Sequence, residues 1–258
     1  MNIIPNKFPE ETEITEWLVF DSKEEAEISL VFARRLSALA RDNNRKIYIS
    51  EGYRSTERQQ YFYDLYLAGK GNLAAKPNTS LHEFHVAVDI GDPKDFWRNK
   101  SEREWNPFSK FSQISLNKYG ICLPLNKRER LISEWWHIVP IEFYRDYHGE
   151  LKDFMQDDDK ILDWDKEIQR ANEIKYILEK LSLVVDSLEY WEKVLKSKVI
   201  ANPVFLTQLL SKIFASKDVL YLLTLKGIIT AKDYWKNVFD GSVDCNPEYL
   251  KVVLLKLL

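Results

Sequence analysis

Three of the four histidines in this 258-residue chain fall in two short segments, Ser80-Leu81-His82-Glu83-Phe84-His85-Val86-Ala87-Val88-Asp89 and Glu134-Trp135-Trp136-His137. His82, Asp89 and His137 offer two imidazoles and a carboxylate, a ligand set suited to zinc. Such a set leaves one tetrahedral position for water, which separates a catalytic zinc site from a closed structural one. Glu134, just upstream of His137, is the candidate base for that water. Taken singly, each residue has a plainer reading. A lone histidine beside apolar residues is usually a hydrogen-bonded core residue, and Asp89 could cap the turn at Gly91.

The elements that must bring these groups together read as follows. Ser22 and Glu25 have capping-box spacing, and Ile28, Val31, Phe32, Leu36 and Leu39 recur at helical intervals, so residues 22–41 are expected to be one amphipathic helix. Lys46–Ser50 alternates apolar with polar, the period of a half-buried strand. It runs through a turn at Glu51-Gly52-Tyr53-Arg54-Ser55 into a second helix over 56–68, followed by a Gly/Asn/Pro loop from Gly69 to Thr79. Val86–Ile90 is expected to be a buried strand, 108–119 a helix, and Ile121–Leu123 and Trp136–Val139 two further strands. Helices and strands mix without regular βαβ alternation, which gives an α+β class with a small mixed or antiparallel sheet flanked by helices. His82 and Asp89 can reach one ion only if the chain folds back between them. Glu134 and His137 would share a site only with a bend at Trp135.

The bulk composition excludes several classes. Formal net charge is −3, and from Leu151 onward 16 Lys+Arg face 17 Asp+Glu, against 21 and 23 before it. No basic field exists to hold a nucleic-acid backbone. Cys122 and Cys245 are the only cysteines, too few for a disulfide framework or a thiolate zinc cluster. Met1–Pro9 has no basic region leading into an apolar stretch, and no run of about 18 apolar residues occurs, so membrane insertion is not expected. The expectation is synthesis without a secretory signal and residence in the cytoplasm until release.

Beyond about residue 150 the character changes. An acidic connector (151–165, with Asp157-Asp158-Asp159) separates the first domain, 1–150, from an all-α domain over 166–258. That second domain repeats itself at an offset of 44: residues 176–213 align without gaps on 220–257 with 11 identities, among them Tyr190/Tyr234, Trp191/Trp235, Asn202/Asn246 and Pro203/Pro247. Asn is a strong N-cap and Pro suits the first helical position, so each Asn-Pro pair is expected to open a helix. Asp186 and Thr230 similarly read as caps. Trp191 and Trp235 are expected in the core, whereas Tyr190 and Tyr234 lie about 100° round the helix and could be exposed.

The two histidine segments resemble the D-alanyl-D-alanine metallopeptidases of the LAS group, which includes VanY-type carboxypeptidases and the L-alanyl-D-glutamate endopeptidases of phage endolysins. The family pattern Ser-x-His-x-x-Gly-x-Ala-x-Asp followed by Glu-x-Trp-His is met by Ser80, His82, Ala87, Asp89, Glu134, Trp136 and His137. A third block, Gly52-Tyr53-Arg54-Ser55 with Gln59, matches the family's Gly-Tyr-Arg-Ser-x-x-x-Gln, and the three lie in the family's order across about residues 10–148. The resemblance implies one zinc ion per chain on His82, Asp89 and His137, with Glu134 as general base. It implies that Arg54 binds substrate or steadies the oxyanion and that Ser80 contacts the peptide backbone. Gln59, His85 and Trp136 would complete the substrate site. The substrate would be a peptidoglycan stem peptide, cut by an endopeptidase of endolysin type ahead of a carboxypeptidase, and residues 166–258 could bind the cell wall. A zinc-holding recognition protein of the same fold that has lost the chemistry is the alternative. One position departs: the family's glycine is His85, a bulky residue where the pattern expects positive φ.

Overall fold

The computed structural model describes residues 9, 11, 13–91, 116–123, 136–143 and 161–258. The chain divides into two compact units, Met1–Glu167 and Ile168–Leu258. Among the described residues, no helix is long and apolar enough to cross a membrane.

The first unit is built on a five-stranded mixed sheet of order β1-β2-β3-β5-β4. β1 is Leu18–Phe20, β2 Ile47–Glu51, β3 Val88–Ile90, β4 Ile121–Cys122 and β5 His137–Pro140. β1 and β2 run parallel, which demands a crossover, and the helix α2 (Leu30–Asp42), following a short α1 (Ile14–Trp17), supplies it. The other pairings are antiparallel. Phe32, Leu36 and Leu39 of α2 are fully buried in one core cluster with Ile47, Ile49, Val88 and Ile138 of the sheet. Arg35 leaves the apolar face of α2 to donate two hydrogen bonds to the Glu142 carboxylate, at 2.8 and 2.9 Å, and a third to the Gly120 carbonyl at 3.0 Å. Buried charge of this kind persists because it is paired and hydrogen-bonded.

The helix expected over 22–41 is split. Ser22 Oγ does accept from Glu25 N at 3.3 Å, but the turn it caps is a single 3-10 turn, Glu24–Ala26. Helix α2 starts anew at Leu30 under the cap of Ser29. The reason lies in where the intervening backbone spends its polar groups: Ile28 O accepts from Leu162 N, and Ser29 N donates to His85 O. Groups committed to tertiary partners cannot serve an i→i−4 ladder. Helix α3 (Thr56–Leu67) forms as expected, capped by Ser55. Of the helix expected over 108–119, only the end from Leu116 lies within the described residues.

The second unit is entirely helical after α4 (Trp164–Leu181): α5 (Glu189–Leu195), α6 (Pro203–Phe214), α7 (Val219–Leu225), α8 (Lys232–Asp240) and α9 (Pro247–Leu257). Asn202 and Asn246 cap α6 and α9, each side-chain oxygen accepting from two backbone N–H groups with Pro at the first helical position. Contacts recur at the same offset of 44. Tyr190 Oη accepts from Asn202 N at 2.5 Å and Tyr234 Oη from Asn246 N at 2.8 Å. Tyr190 meets Phe205 edge-on, as Tyr234 meets Tyr249. Lys212 Nζ donates to Val184 O, and Lys256 Nζ to Ile228 O. Trp191 and Trp235 are buried. Two expectations fail. Asp186 and Thr230 cap nothing, because α5 and α8 begin later, at N-caps Leu188 and Ala231 without side-chain bonds. Tyr190 and Tyr234 are half-buried, because each hydroxyl is drawn in to the backbone N–H ahead of the next helix.

Candidate metal and peptide site

Strand pairing lays three acidic or metal-ligating side chains in one row. Glu51 of β2 stands opposite Asp89 of β3, and Asp89 stands opposite His137 of β5. Directly opposed residues in an antiparallel ladder project from the same face with Cβ atoms about 5 Å apart. Strict alternation would place Glu51 on the core face with Ile47 and Ile49, and a register shift between Ile49 and Glu51 presents it to this row instead. His137 Nδ1 lies 2.9 Å from Asp89 Oδ1.

His82 reaches the same carboxylate from the turn before β3. Residues 81–86 close a single helical turn in which Val86 N bonds to Leu81 O and His85 N to His82 O. This is a Schellman closure, whose penultimate residue must be left-handed. That residue is His85, with φ 61°. The family's glycine position is thus a true left-handed position. The cost of placing a non-glycine residue there, about 1–2 kcal/mol, is offset by ring contacts. The His85 imidazole stacks on Tyr53, with centroids 4.4 Å apart and planes 7° apart, and its Nδ1 lies 2.5 Å from Glu27 O.

His82 is buried, and its Nδ1 lies 2.7 Å from the Gly52 carbonyl. A carbonyl only accepts, so Nδ1 carries the hydrogen and Nε2 is turned toward Asp89 Oδ1 at 3.5 Å. The ligand atoms of His82, Asp89 and His137 all lie within 4.8 Å of one another. Donors at zinc's usual 2.0–2.1 Å and tetrahedral angles stand about 3.3 Å apart. The separations of 2.9 and 3.5 Å bracket that value, so these residues fit a single divalent ion. Burial alone would raise the Asp89 carboxyl, but hydrogen bonds from His137 and then His82 outweigh it and hold it well below the usual carboxylate range. For His82, burial favours the neutral ring, yet the Asp89 carboxylate prevails and raises its pKa, with Arg54 opposing.

The three groups open onto a cleft of about 660 Å³, lined also by Arg54, Ser80, Trp136 and an apolar wall that includes Phe62, Leu65 and Leu73. Arg54 is held rigidly. Glu51 takes its Nε and Nη2 with both carboxylate oxygens, Gln59 Oε1 accepts from Nη1 at 2.7 Å, and Phe62 lies 5.0 Å beneath it. Side-chain exposures of 13% and 12% for Arg54 and Glu51 set this pair apart from a solvated surface bridge. Three of the five guanidinium N–H groups are thereby engaged among the described residues, which leaves two for a ligand.

The structure gathers His82, Asp89, His137, Arg54, Ser80 and Trp136 around one cleft. Two residues expected to touch substrate stand elsewhere. Gln59 is fully buried and bonds to Arg54 and to Ala75 O, tying the arginine to the following loop. His85 turns its ring to Tyr53 and Glu27, away from the cleft-lining set. Glu134 and Trp135 lie outside the described residues. Among the ionisable lining residues described, Glu51 is the one that the sequence motifs did not single out. Its signal was an acidic residue directly before Gly52 and three before Arg54.

Two histidines and one carboxylate on a small mixed sheet thus form a group that could hold a single metal ion. Residues 23–141 match the sequence model of the VanY family, described as D-alanyl-D-alanine carboxypeptidase. Among solved structures, the LdcB LD-carboxypeptidase, described for its peptidoglycan recognition, is 20% identical over 60% of this chain and 71% of its own, with a TM-score of 0.39. A variant of the vancomycin-resistance D,D-pentapeptidase VanY in complex with Zn(II) is 21% identical over 44% of this chain and 72% of its own, at a TM-score of 0.33. Both are distant likenesses. No curated protein matches the chain.

Two outcomes follow from this geometry. His85→Ala loses the ring contacts and keeps the left-handed cost, whereas His85→Gly loses the contacts and relieves that cost. In thermal unfolding the glycine variant is therefore expected to be the more stable of the two by about 1 kcal/mol. Equal stabilities would contradict the Schellman role. The second concerns pH. A raised His82 pKa stabilises the metal-free fold below the free-imidazole value of about 6.5, and this contribution is lost as pH climbs through the folded value. The depressed Asp89 contributes above about 3.9 and loses that contribution only as pH falls toward its folded value. The metal-free protein should thus lose melting temperature as pH rises past about 6.5, while its zinc affinity climbs over the same range because uptake displaces a proton. A pH-independent zinc affinity would contradict this.

Proposed function

We propose that the chain is a zinc-dependent peptidase that hydrolyses an amide bond of peptidoglycan stem peptides. The observation that carries this reading is the convergence of His82, Asp89 and His137 on one centre within a cleft that also holds Arg54. The match of residues 23–141 to the VanY family's sequence model supports the substrate class.

His82, Asp89 and His137 would hold the ion. Bound zinc lowers the pKa of a water molecule to about 7 and polarises a carbonyl. The chain's own groups do the rest. Gly52 O keeps His82 in the tautomer that offers Nε2. Glu134, in the role the motif assigns it, takes the proton of the attacking water and passes it to the leaving amine. Arg54 offers its two remaining N–H groups to negative charge, either a substrate carboxylate or the oxygen on which charge develops. Ser80, buried at the cleft wall, supplies a hydroxyl to the peptide backbone.

Arg54 keeps one N–H on each Nη for a ligand, and a terminal carboxylate offers two acceptor oxygens to such a pair, so we favour a carboxypeptidase over an endopeptidase. Residues 176–213 and 220–257 are proposed to be duplicate units, supported by the paired Tyr-Asn, Tyr-aromatic and Lys-carbonyl contacts at one offset. Exposed Phe205 and Tyr249, equivalent under that offset, support a wall-binding role for 166–258.

The test is digestion of purified peptidoglycan and of synthetic stem peptides, with products identified by mass spectrometry. Wild type is expected to release a single terminal residue, and Glu134→Ala to lose at least a hundredfold in kcat. Fragments cut inside the stem would overturn the carboxypeptidase reading in favour of an endopeptidase. Zinc uptake with no hydrolysis by wild type would favour the non-catalytic recognition protein.

A further inference from the structure

Glu25 lies outside all three motif blocks, yet it is a buried carboxylate bonded to Gly52 and Arg58, each of which in turn contacts a group of the site. Its Oε2 accepts from Gly52 N at 2.5 Å, and its Oε1 from Arg58 Nη1 at 3.2 Å. The approach to Gly52 is backbone against backbone. A Cβ at that position would sit 1.9 Å from the Glu25 carbonyl oxygen, so only glycine admits it.

From this one carboxylate two chains of contact diverge. The first runs through Gly52, whose carbonyl fixes the His82 imidazole at 2.7 Å. The second runs through Arg58, whose Nη2 lies 3.2 Å from Glu51 Oε1, and Glu51 in turn clasps Arg54 with both oxygens. Arg54 N also donates to His82 O, which closes the loop between the two arms.

We infer that Glu25 is a positioning residue that sets the orientation of the metal ligand His82 and of the substrate-facing Arg54 together. The inference rests on the zinc reading of the site. Packing alone would not need a carboxylate here. A buried charge costs several kcal/mol unless its bonds are made, whereas an apolar side chain would join the two segments without that cost. What the carboxylate adds is direction. It fixes one N–H at Gly52 and one guanidinium at Arg58, and each of those holds a group of the site.

The experiment measures zinc affinity by competition with a chromogenic chelator, and kcat and KM on a stem peptide, using the full chain. Glu25→Gln keeps one acceptor oxygen and turns an NH2 group on a donor. It is expected to weaken zinc at least tenfold, the usual effect of removing a partner behind a ligand, and to raise KM. Arg58→Met, at a half-exposed position, breaks only the second arm. It is expected to raise KM severalfold with zinc affinity at the wild-type value. Wild-type zinc affinity and KM in Glu25→Gln, with only a lower melting temperature, would overturn the proposal and leave Glu25 a structural tie. Equal loss of zinc in both variants would overturn the two-arm arrangement. Where Glu25→Gln does not fold, Glu25→Asp keeps the charge with a shorter reach, and unchanged zinc affinity in it overturns the proposal as well. Wild type that takes up no zinc fails on a separate ground, the metal reading itself.

Discussion

The direct opposition of Asp89 and His137 across the β3–β5 ladder is the constraint on which the site depends. Because directly paired residues share a face, this register brings a carboxylate and an imidazole together without any help from loops. A slip of one residue would send both side chains into the core and bring Val88, Ile90 and Ile138 out of it. The apolar burial of those three residues is therefore what enforces the chemistry on the other face. β2 extends the same row with Glu51, so the sheet carries the ligands and the anchor of Arg54 on one surface. Only His82 arrives from outside, and a closed helical turn with a left-handed residue delivers it.

Charge organises what register begins. Asp89 is little exposed and still ionised, because two imidazoles face it. A divalent ion held by His82, Asp89 and His137 would supply that compensation in place of the imidazolium charge. A second balance surrounds Arg54. Its charge is met by Glu51, Glu51 is met again by Arg58, and Arg58 by Glu25. An arginine so surrounded is fixed in place at the cleft wall, with two of its N–H groups not engaged among the described residues.

Much of this was legible in the sequence. His82, Asp89 and His137 follow from residue type and motif spacing, and the strands that carry Asp89 and His137 follow from apolar runs. The Asn-Pro caps were legible because the signal is local: an N-cap and a fixed φ act within one turn. What escaped was set by tertiary partners. The break near Glu25 could not be read from helical periodicity, because it arises where Ile28 and Ser29 bond to distant backbone. Gln59 looked like a substrate residue by motif, and the fold buries it behind Arg54. His85 looked like a misfit for a glycine, and a stack on Tyr53 explains how it is tolerated. The caps assigned to Asp186 and Thr230 failed for a smaller reason, a shift of one to two residues in where each helix starts.

X-ray absorption spectroscopy of the zinc-loaded protein tests the central claim most directly, because it counts the donor atoms around the ion. The account predicts a shell of light N/O scatterers at about 2.0–2.1 Å, with the outer-ring signature of two imidazoles and no sulfur. His137→Ala should remove one imidazole from that signature. A sulfur shell at about 2.3 Å, or a spectrum unchanged by His137→Ala, would contradict the assignment of His82, Asp89 and His137 as the metal centre.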